Sequence, residues 1–294
     1  MRKTRAAPFI CWLWAAPFAL LLWVGYEAAP KYVEPPPSAA FDDFNRARIA
    51  AFARTPRDGV LRVVALGNSR LKHATLDDGD LARLADEVGA GRMAFLRLVN
   101  NWAVFEDFEP FADDLLALKP DVIVLQLELL GAEHGRVGRQ VFLVDYLFWR
   151  LLGFGPWNPR QVDQRDLQFA KPCADDRDAL RLRGRVRMTE AWIVDDGAGT
   201  STKLARAFVA RARAAGIRVV LLAVPKTERM EAVRPSARDG LVAAANNLER
   251  ADDGLRLLRY PGAFADDRYC DFLHMNDRGR AEYSAWLVRE LARD

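Results

Sequence analysis

The sequence predicts an α/β fold in which a parallel sheet is covered on both faces by helices. Three observations lead there. Short β-branched runs alternate with amphipathic stretches along most of the chain, the pattern of repeated βαβ units. Asp121–Leu127 (DVIVLQL) is an almost unbroken apolar run after a proline, as expected of a strand buried on both faces. Ile217–Val224 (IRVVLLAV) is a second such run, set between Gly216 and Pro225.

The elements follow in order. Residues 41–54 (FDDFNRARIAAFAR) have helical patterning, and Val60–Leu66 is a strand that ends at Gly67. Leu76–Val88 reads as a helix stopped by Gly89 and Gly91, since glycine ends helices readily. Met93–Val99 is a second strand, and Phe105–Leu118 an amphipathic helix that stops before Lys119-Pro120. Asp121–Leu127 then forms the third strand. Lys203–Ala215 is a helix, Ile217–Val224 a strand, Arg238–Ala251 a helix, Leu255–Tyr260 a short strand and Arg278–Leu291 the last helix. Residues 131–200 break this rhythm and read as an insertion between the third and fourth core strands. Within it, the aromatic stretch 142–157 is expected to pack on the insertion's own core. Arg181, Arg183, Arg185 and Arg187 alternate with other residues over 180–188, which suggests a strand with one solvated cationic face.

The 294 residues are 51% hydrophobic and 28% charged, which excludes a disordered or collagen-like chain. Forty-three basic against 40 acidic side chains leave a net charge of +3. That balance gives no electrostatic case for nucleic acid as a partner. Cys11, Cys173 and Cys270 contain no CxxC pair, so neither a structural zinc site nor a disulfide scaffold is expected.

The N-terminus sets the location. Arg2, Lys3 and Arg5 precede Phe9–Tyr26, 18 residues without a charge. As a helix this run covers about 27 Å, close to a bilayer core of about 30 Å. Basic residues before it predict a cytoplasmic tail (1–8), a transmembrane signal anchor (9–26) and an exported body. Glu27 interrupts YEAAP, so no clean small-x-small cleavage site follows. Residues 27–40 are a Pro-rich spacer, and the body spans 41–294. The expected location is the cytoplasmic membrane, single-pass, with the body in the periplasm or its equivalent. In such an oxidising compartment Cys173 and Cys270 either pair or remain buried thiols.

Two short segments carry the chemistry. Gly67-Asn68-Ser69 directly follows the first strand, and reactive groups of parallel α/β sheets gather at the carboxyl ends of strands. The backbone N–H groups that open the next helix face an anion well there. Asp271-Phe272-Leu273-His274 lies just before the last helix. An aspartate three residues ahead of a histidine can bend back to fix its tautomer and stabilise the imidazolium. Ser69, His274 and Asp271 are therefore the candidate nucleophile, base and orienting acid. His73, four residues after Ser69, is the competing base. His134, beside Glu133, reads as a loop residue. Glu128, at the end of the third strand, is placed either to meet substrate or to be a satisfied buried carboxylate. Asn276 reads as the cap of the last helix. GAGTSTK (197–203) lacks the glycine before Lys203 that a phosphate loop needs.

ALGNSR after the first strand and DFLHMND before the last helix resemble the first and last motif blocks of the SGNH/GDSL hydrolase superfamily. The resemblance covers roughly residues 58–294 in motif order and layout. It implies a three-layer α/β/α sandwich, with Ser69 as nucleophile, His274 as base and Asp271 as its partner, and it requires no metal or cofactor. There are departures. Asn68 stands where the family's first block carries aspartate. The second block's oxyanion glycine falls in LVNNWAV, which leaves Asn100, Asn101 or a backbone N–H near Trp102 to substitute. The third block's asparagine falls in LQLELLG, which has none. Similar departures mark membrane-anchored relatives linked to O-acylation of cell-surface polysaccharides. The resemblance therefore implies an esterase or O-acyltransferase for acyl esters of envelope glycans, with a multi-spanning membrane acyltransferase as a possible partner. The alternative is an inactive module that binds glycan or scaffolds such a complex.

Overall fold

The computed structural model describes residues 14–15, 17–21, 23–24, 39–134, 193–195, 199–233 and 255–293. Helix α1 (Ala39–Ala53) leads to strand β1 (Leu61–Gly67), the short helix α2 (Ser69–Ala74) and helix α3 (Asp78–Glu87). Strand β2 (Met93–Val99) is followed by a 3-10 helix (Phe105–Phe111), helix α4 (Ala112–Ala117) and strand β3 (Val122–Gln126). A 3-10 turn (Leu127–Leu130) leads to strand β4 (Ala132–His134). After strand β5 (Ile193–Asp195) come α5 (Thr200–Ala214), β6 (Arg218–Ala223), α6 (Glu228–Val233), β7 (Leu255–Arg259) and α7 (Asp277–Ala292).

Five strands form one parallel sheet in the order β2-β1-β3-β6-β7. The chain steps from β1 to one side and then builds outward on the other. This reversal puts the topological switch point at the carboxyl ends of β1 and β3, where ligands of open α/β sheets bind as a rule. Side chains alternate strictly between two cores. Val64, Leu66, Ile123, Leu125, Val219 and Leu221 pack with Ile49, Phe108 and Phe208 on one face. Val63, Ala65, Val122, Val124, Val220 and Leu222 pack with Leu71, Leu81 and Leu287 on the other. The result is the three-layer α/β/α sandwich. Each fully buried Leu or Phe contributes about 1.5–3 kcal/mol relative to exposure.

Arg62 occupies a core position of β1 and is only 1% exposed. It is accommodated because its Nη1 donates to the Leu118 carbonyl (2.9 Å) and Nη2 to the Phe52 carbonyl (3.0 Å). Both carbonyls lie at helix ends, where a cation is favoured.

Several boundaries differ from the sequence reading. Phe105–Leu118 is not one α-helix: its first half is 3-10, with Pro110 inside it. Proline removes an N–H and crowds the preceding turn, so the α-helical part is confined to α4. Leu76–Val88 begins as a helix only at Asp78, because Asp77 caps it by accepting from the Asp80 N–H (2.8 Å). α6 was not anticipated, and the helix expected at Arg238–Ala251 lies outside the described residues, as do 142–157, 180–188 and the spacer up to residue 38.

β4 and β5 pair antiparallel, Ala132 opposite Asp195 and His134 opposite Ile193. The chain thus leaves and re-enters beside itself at the ends of the expected insertion. At its return, Glu133 accepts from the Ser201 and Thr202 N–H groups (3.1 and 2.8 Å) at the start of α5. A carboxylate occupies the place where a phosphate loop would bind its anion.

The segment expected to span a membrane is only partly described. Trp14, Phe18, Leu20, Leu21, Trp23 and Val24 are helical there and at least half exposed. Among the described residues, no helix is long and apolar enough to cross a membrane.

Candidate active site

The site grows from the turn that closes β1. Gly67 is there for space: a Cβ on it would lie 2.5 Å from the Leu71 side chain and 2.7 Å from Gln126 Oε1. The next residue, Asn68, is the N-cap of α2, its Oδ1 accepting from the Arg70 N–H (3.0 Å). Ser69 then opens the helix, where the first N–H groups have no partner within the helix itself.

The second half is built on a tight loop before α7. Tyr269 and Met275 form an antiparallel bridge, and the Cys270 N–H donates to the His274 carbonyl (3.0 Å). Thr227, beyond β6, braces the loop by donating its N–H to the Phe272 carbonyl (3.3 Å). Asn276 caps α7 through the Gly279 N–H (3.0 Å). α7 is fastened to the Ser69 side: Ser284 Oγ accepts from the Leu76 N–H (3.0 Å), and Arg280 Nε donates to the His73 carbonyl (3.3 Å).

These supports bring three predicted residues together. His274 Nε2 is 2.9 Å from Ser69 Oγ, and His274 Nδ1 is 2.8 Å from Asp271 Oδ2. Asp271 Oδ1 also accepts the backbone N–H groups of Leu273 and His274, each at 2.7 Å. Burial pushes the Asp271 carboxyl up. The hydrogen bond and charge of His274 and the two backbone bonds outweigh it and hold the group at about 2. An ionised Asp271 fixes the Nδ1–H tautomer, leaving Nε2 as the acceptor facing Ser69.

His73 is near, but it does not replace His274. Its ring lies against that of His274, centroids 4.5 Å apart. Burial, then the nearby charges of His274, Arg280 and Lys72, lower it to about 3, with Asp271 opposing. His73 is thus neutral through physiological pH. His134 lies in β4.

The remaining predicted residues lie just beyond the carboxyl ends of β2 and β3. The Asn100 N–H donates to the Gly67 carbonyl (3.2 Å), tying the end of β2 to the Gly67-Asn68-Ser69 turn. Asn101 is exposed, and its N–H donates to Asn100 Oδ1 (2.9 Å). Trp102 follows at φ 60, a left-handed conformation that is unusual for a bulky residue. Glu128 is an engaged carboxylate: Arg70 Nη1 donates to its Oε1, and Gln126 Nε2 to its Oε2 (3.0 Å). Burial pushes Glu128 up, but the charges of Arg70 and Lys226 and these hydrogen bonds bring it below its ordinary value. Leu130 is buried, and residues 127–131 (LELLG) at this end of β3 contain no asparagine. Among the described residues, no cluster of His, Cys, Asp or Glu is arranged to hold a metal ion.

Two participants were missed in the sequence. Gln126 is the one polar side chain in DVIVLQL after its opening aspartate, and Arg70 directly follows Ser69. Both are buried next to the turn. Cys270, beside Asp271, is disulfide-bonded; Cys11 and Cys173 both lie outside the described residues.

No protein-family model matches the chain, and no curated protein matches it. Solved structures do resemble it. A GDSL-like lipase from Bacteroides thetaiotaomicron is 13% identical, over 86% of this chain and 98% of that one, at a TM-score of 0.42. A lipase/acylhydrolase from Enterococcus faecalis is 16% identical, over 79% and 95%, at 0.40. An acetyl xylan esterase is 14% identical, over 77% and 98%, at 0.41.

Proposed function

We propose that the chain is a serine esterase or O-acyltransferase that works through an acyl-enzyme. The observation that carries this reading is the continuous path from Asp271 through His274 to Ser69, with contacts of 2.8 and 2.9 Å. Ser69 Oγ attacks the acyl carbonyl carbon while its proton passes to His274 Nε2. The imidazolium, steadied by Asp271, gives that proton to the departing alkoxide as the C–O bond breaks. Water or a sugar hydroxyl then attacks the acyl-enzyme and loses its proton to His274 Nε2, which returns it to Ser69 Oγ as the acyl C–Oγ bond breaks and the acid or new ester leaves. The Ser69 backbone N–H is the first oxyanion donor in this scheme, and Asn100 or Asn101 the second. One such donor is worth about 3–4 kcal/mol.

The substrate class in this reading is an acyl ester of an envelope glycan, met outside the cytoplasmic membrane. The uncharged run Phe9–Tyr26 behind a basic tail supports it, as does a disulfide at Cys270, which suits an oxidising compartment. A multi-spanning acyltransferase is the partner proposed for the transferase outcome.

The test uses purified protein with p-nitrophenyl acetate and a fluorophosphonate probe. Ser69→Ala and His274→Ala are each expected to lower turnover at least about 10³-fold, and the probe is expected to label Ser69 of the unaltered chain. Turnover surviving in both variants overturns the reading. The lack of an asparagine in LQLELLG and the engagement of Glu128 by Arg70 and Gln126 favour a second reading, a glycan-binding or scaffold module without turnover. Folded protein that takes no label at Ser69 selects it.

A further inference from the structure

The turn that carries Ser69 is gripped from β3 by a single buried carboxamide. Gln126 is the last residue of β3 and is 0% exposed. Its Oε1 accepts the Asn68 backbone N–H at 2.9 Å. Its Nε2 donates to Asn68 Oδ1 at 2.9 Å and to Glu128 Oε2 at 3.0 Å. Asn68 Oδ1 also accepts the Arg70 N–H, so the oxygen of Asn68 must face the nitrogen of Gln126. The two amides therefore pair in one orientation only. Asn68 is held by its backbone and its side chain at once, and those two bonds fix the path along which the chain enters Ser69. Behind this pair, Arg70 donates to Glu128 and to the Val224 carbonyl beyond β6. Glu128 orients the Gln126 amide, and Arg70 balances its charge. The ends of β1, β3 and β6 are joined beneath the nucleophile.

We propose that Gln126 is a positioning residue for Ser69, acting through Asn68; this rests on Ser69 being the nucleophile. Gln126 touches no reacting atom. Its contribution is to keep Ser69 Oγ within hydrogen-bond reach of His274 Nε2 during the attack. A nucleophile displaced by about 1 Å loses on the order of 10²-fold in rate, while binding of the acyl ester, which needs other contacts, is left nearly intact.

Gln126→Leu and Gln126→Glu, in the full chain, test this with p-nitrophenyl acetate, Ser69→Ala run alongside. Gln126→Leu removes both bonds to Asn68 and is expected to lower kcat about 100-fold, with KM within about threefold. Gln126→Glu keeps the acceptor for the Asn68 N–H but sets a carboxylate oxygen against Asn68 Oδ1 and Glu128. Protonation returns a donor at that oxygen. Its kcat relative to the unaltered protein is therefore expected to rise as pH falls, whereas the Gln126→Leu ratio stays flat. Packing alone gives no such divergence. Gln126→Leu within threefold of the unaltered kcat, or equal pH slopes in both variants, overturns the proposal. Loss of the fold in both, read by circular dichroism, overturns it too, since the carboxamide is then a requirement of the core. Turnover surviving in Ser69→Ala instead rejects the nucleophile itself.

Discussion

Asp271 holds His274 by two separate oxygens: Oδ2 meets the ring Nδ1 at 2.8 Å, and Oδ1 accepts the backbone N–H of the same residue at 2.7 Å. One carboxylate thus sets both where the imidazole stands and which nitrogen faces Ser69. Asp271→Asn keeps the shape but turns an amide toward Nδ1 or strips the backbone bonds of their charge. It is expected to reduce kcat about 10³–10⁴-fold. A steady-state loss under tenfold would contradict the assigned role.

The same carboxylate carries a pH signature in stability. Its folded-state value of about 2 lies below the ordinary 3.8. Its stabilisation is therefore fully present above 3.8 and is lost as pH falls through about 2. In urea titrations, any gap between the unaltered chain and Asp271→Asn at pH 6 is expected to narrow below pH 3.8. A gap that widens there rejects the account.

His73 acts with the same slope over a higher range. It is depressed from 6.5 to about 3, so the unfolded chain takes up its proton first. The folded state is undisturbed above pH 6.5 and loses stability as pH falls from there toward 3. His73→Phe retains a ring against His274 and removes the titration. The urea midpoint of this variant is expected to fall less between pH 7 and 4 than that of the unaltered chain. Parallel declines would show that His73 is not responsible.

Gly67 leaves no room for a side chain. Gly67→Ala drives a methyl into Leu71 and Gln126 and is expected to cost about 1–3 kcal/mol, measurable by chemical denaturation. It should also slow acylation, since the displaced atoms include the Asn68 partner.

Glu133 offers a test outside the Ser69, His274 and Asp271 cluster. Its carboxylate meets two N–H groups at the start of α5, and a Cβ on Gly199 would fall 2.2 Å from its Cδ. Glu133→Ala is expected to lower stability by about 1–2 kcal/mol, with kcat on p-nitrophenyl acetate unchanged. An unchanged melting temperature would show that the cap is dispensable.

The five sheet strands were legible as short apolar-rich runs with a glycine or proline close to at least one end, as Val122–Gln126 shows after Pro120. The three-residue β4 and β5 were too short to show a pattern. The pairing of Ser69 with His274 was legible from motif order, because chemistry restricts which residues serve. Gln126 was not. A glutamine closing a strand carries no local mark of its partner, and Asn68 lies 58 positions away. Pro110 is plain in the sequence, but amphipathic spacing on either side of it masks the change from 3-10 to α-helix. Glu128 was placed in the right neighbourhood, yet its ion pair with Arg70 depends on how α2 turns over the sheet, which spacing does not specify.

The ribbon of β4 and β5 has a consequence for how this molecule can diversify. Residues 132–134 and 193–195 close a narrow neck, and it lies on the path between β3 and β6, two strands that already pair directly in the sheet. Chain length can be added or removed at that neck with no change in the order of the five parallel strands. Ser69, His274 and Asp271 all belong to segments outside that stretch of chain, so a change of length there leaves the two loops that carry them unaltered in sequence.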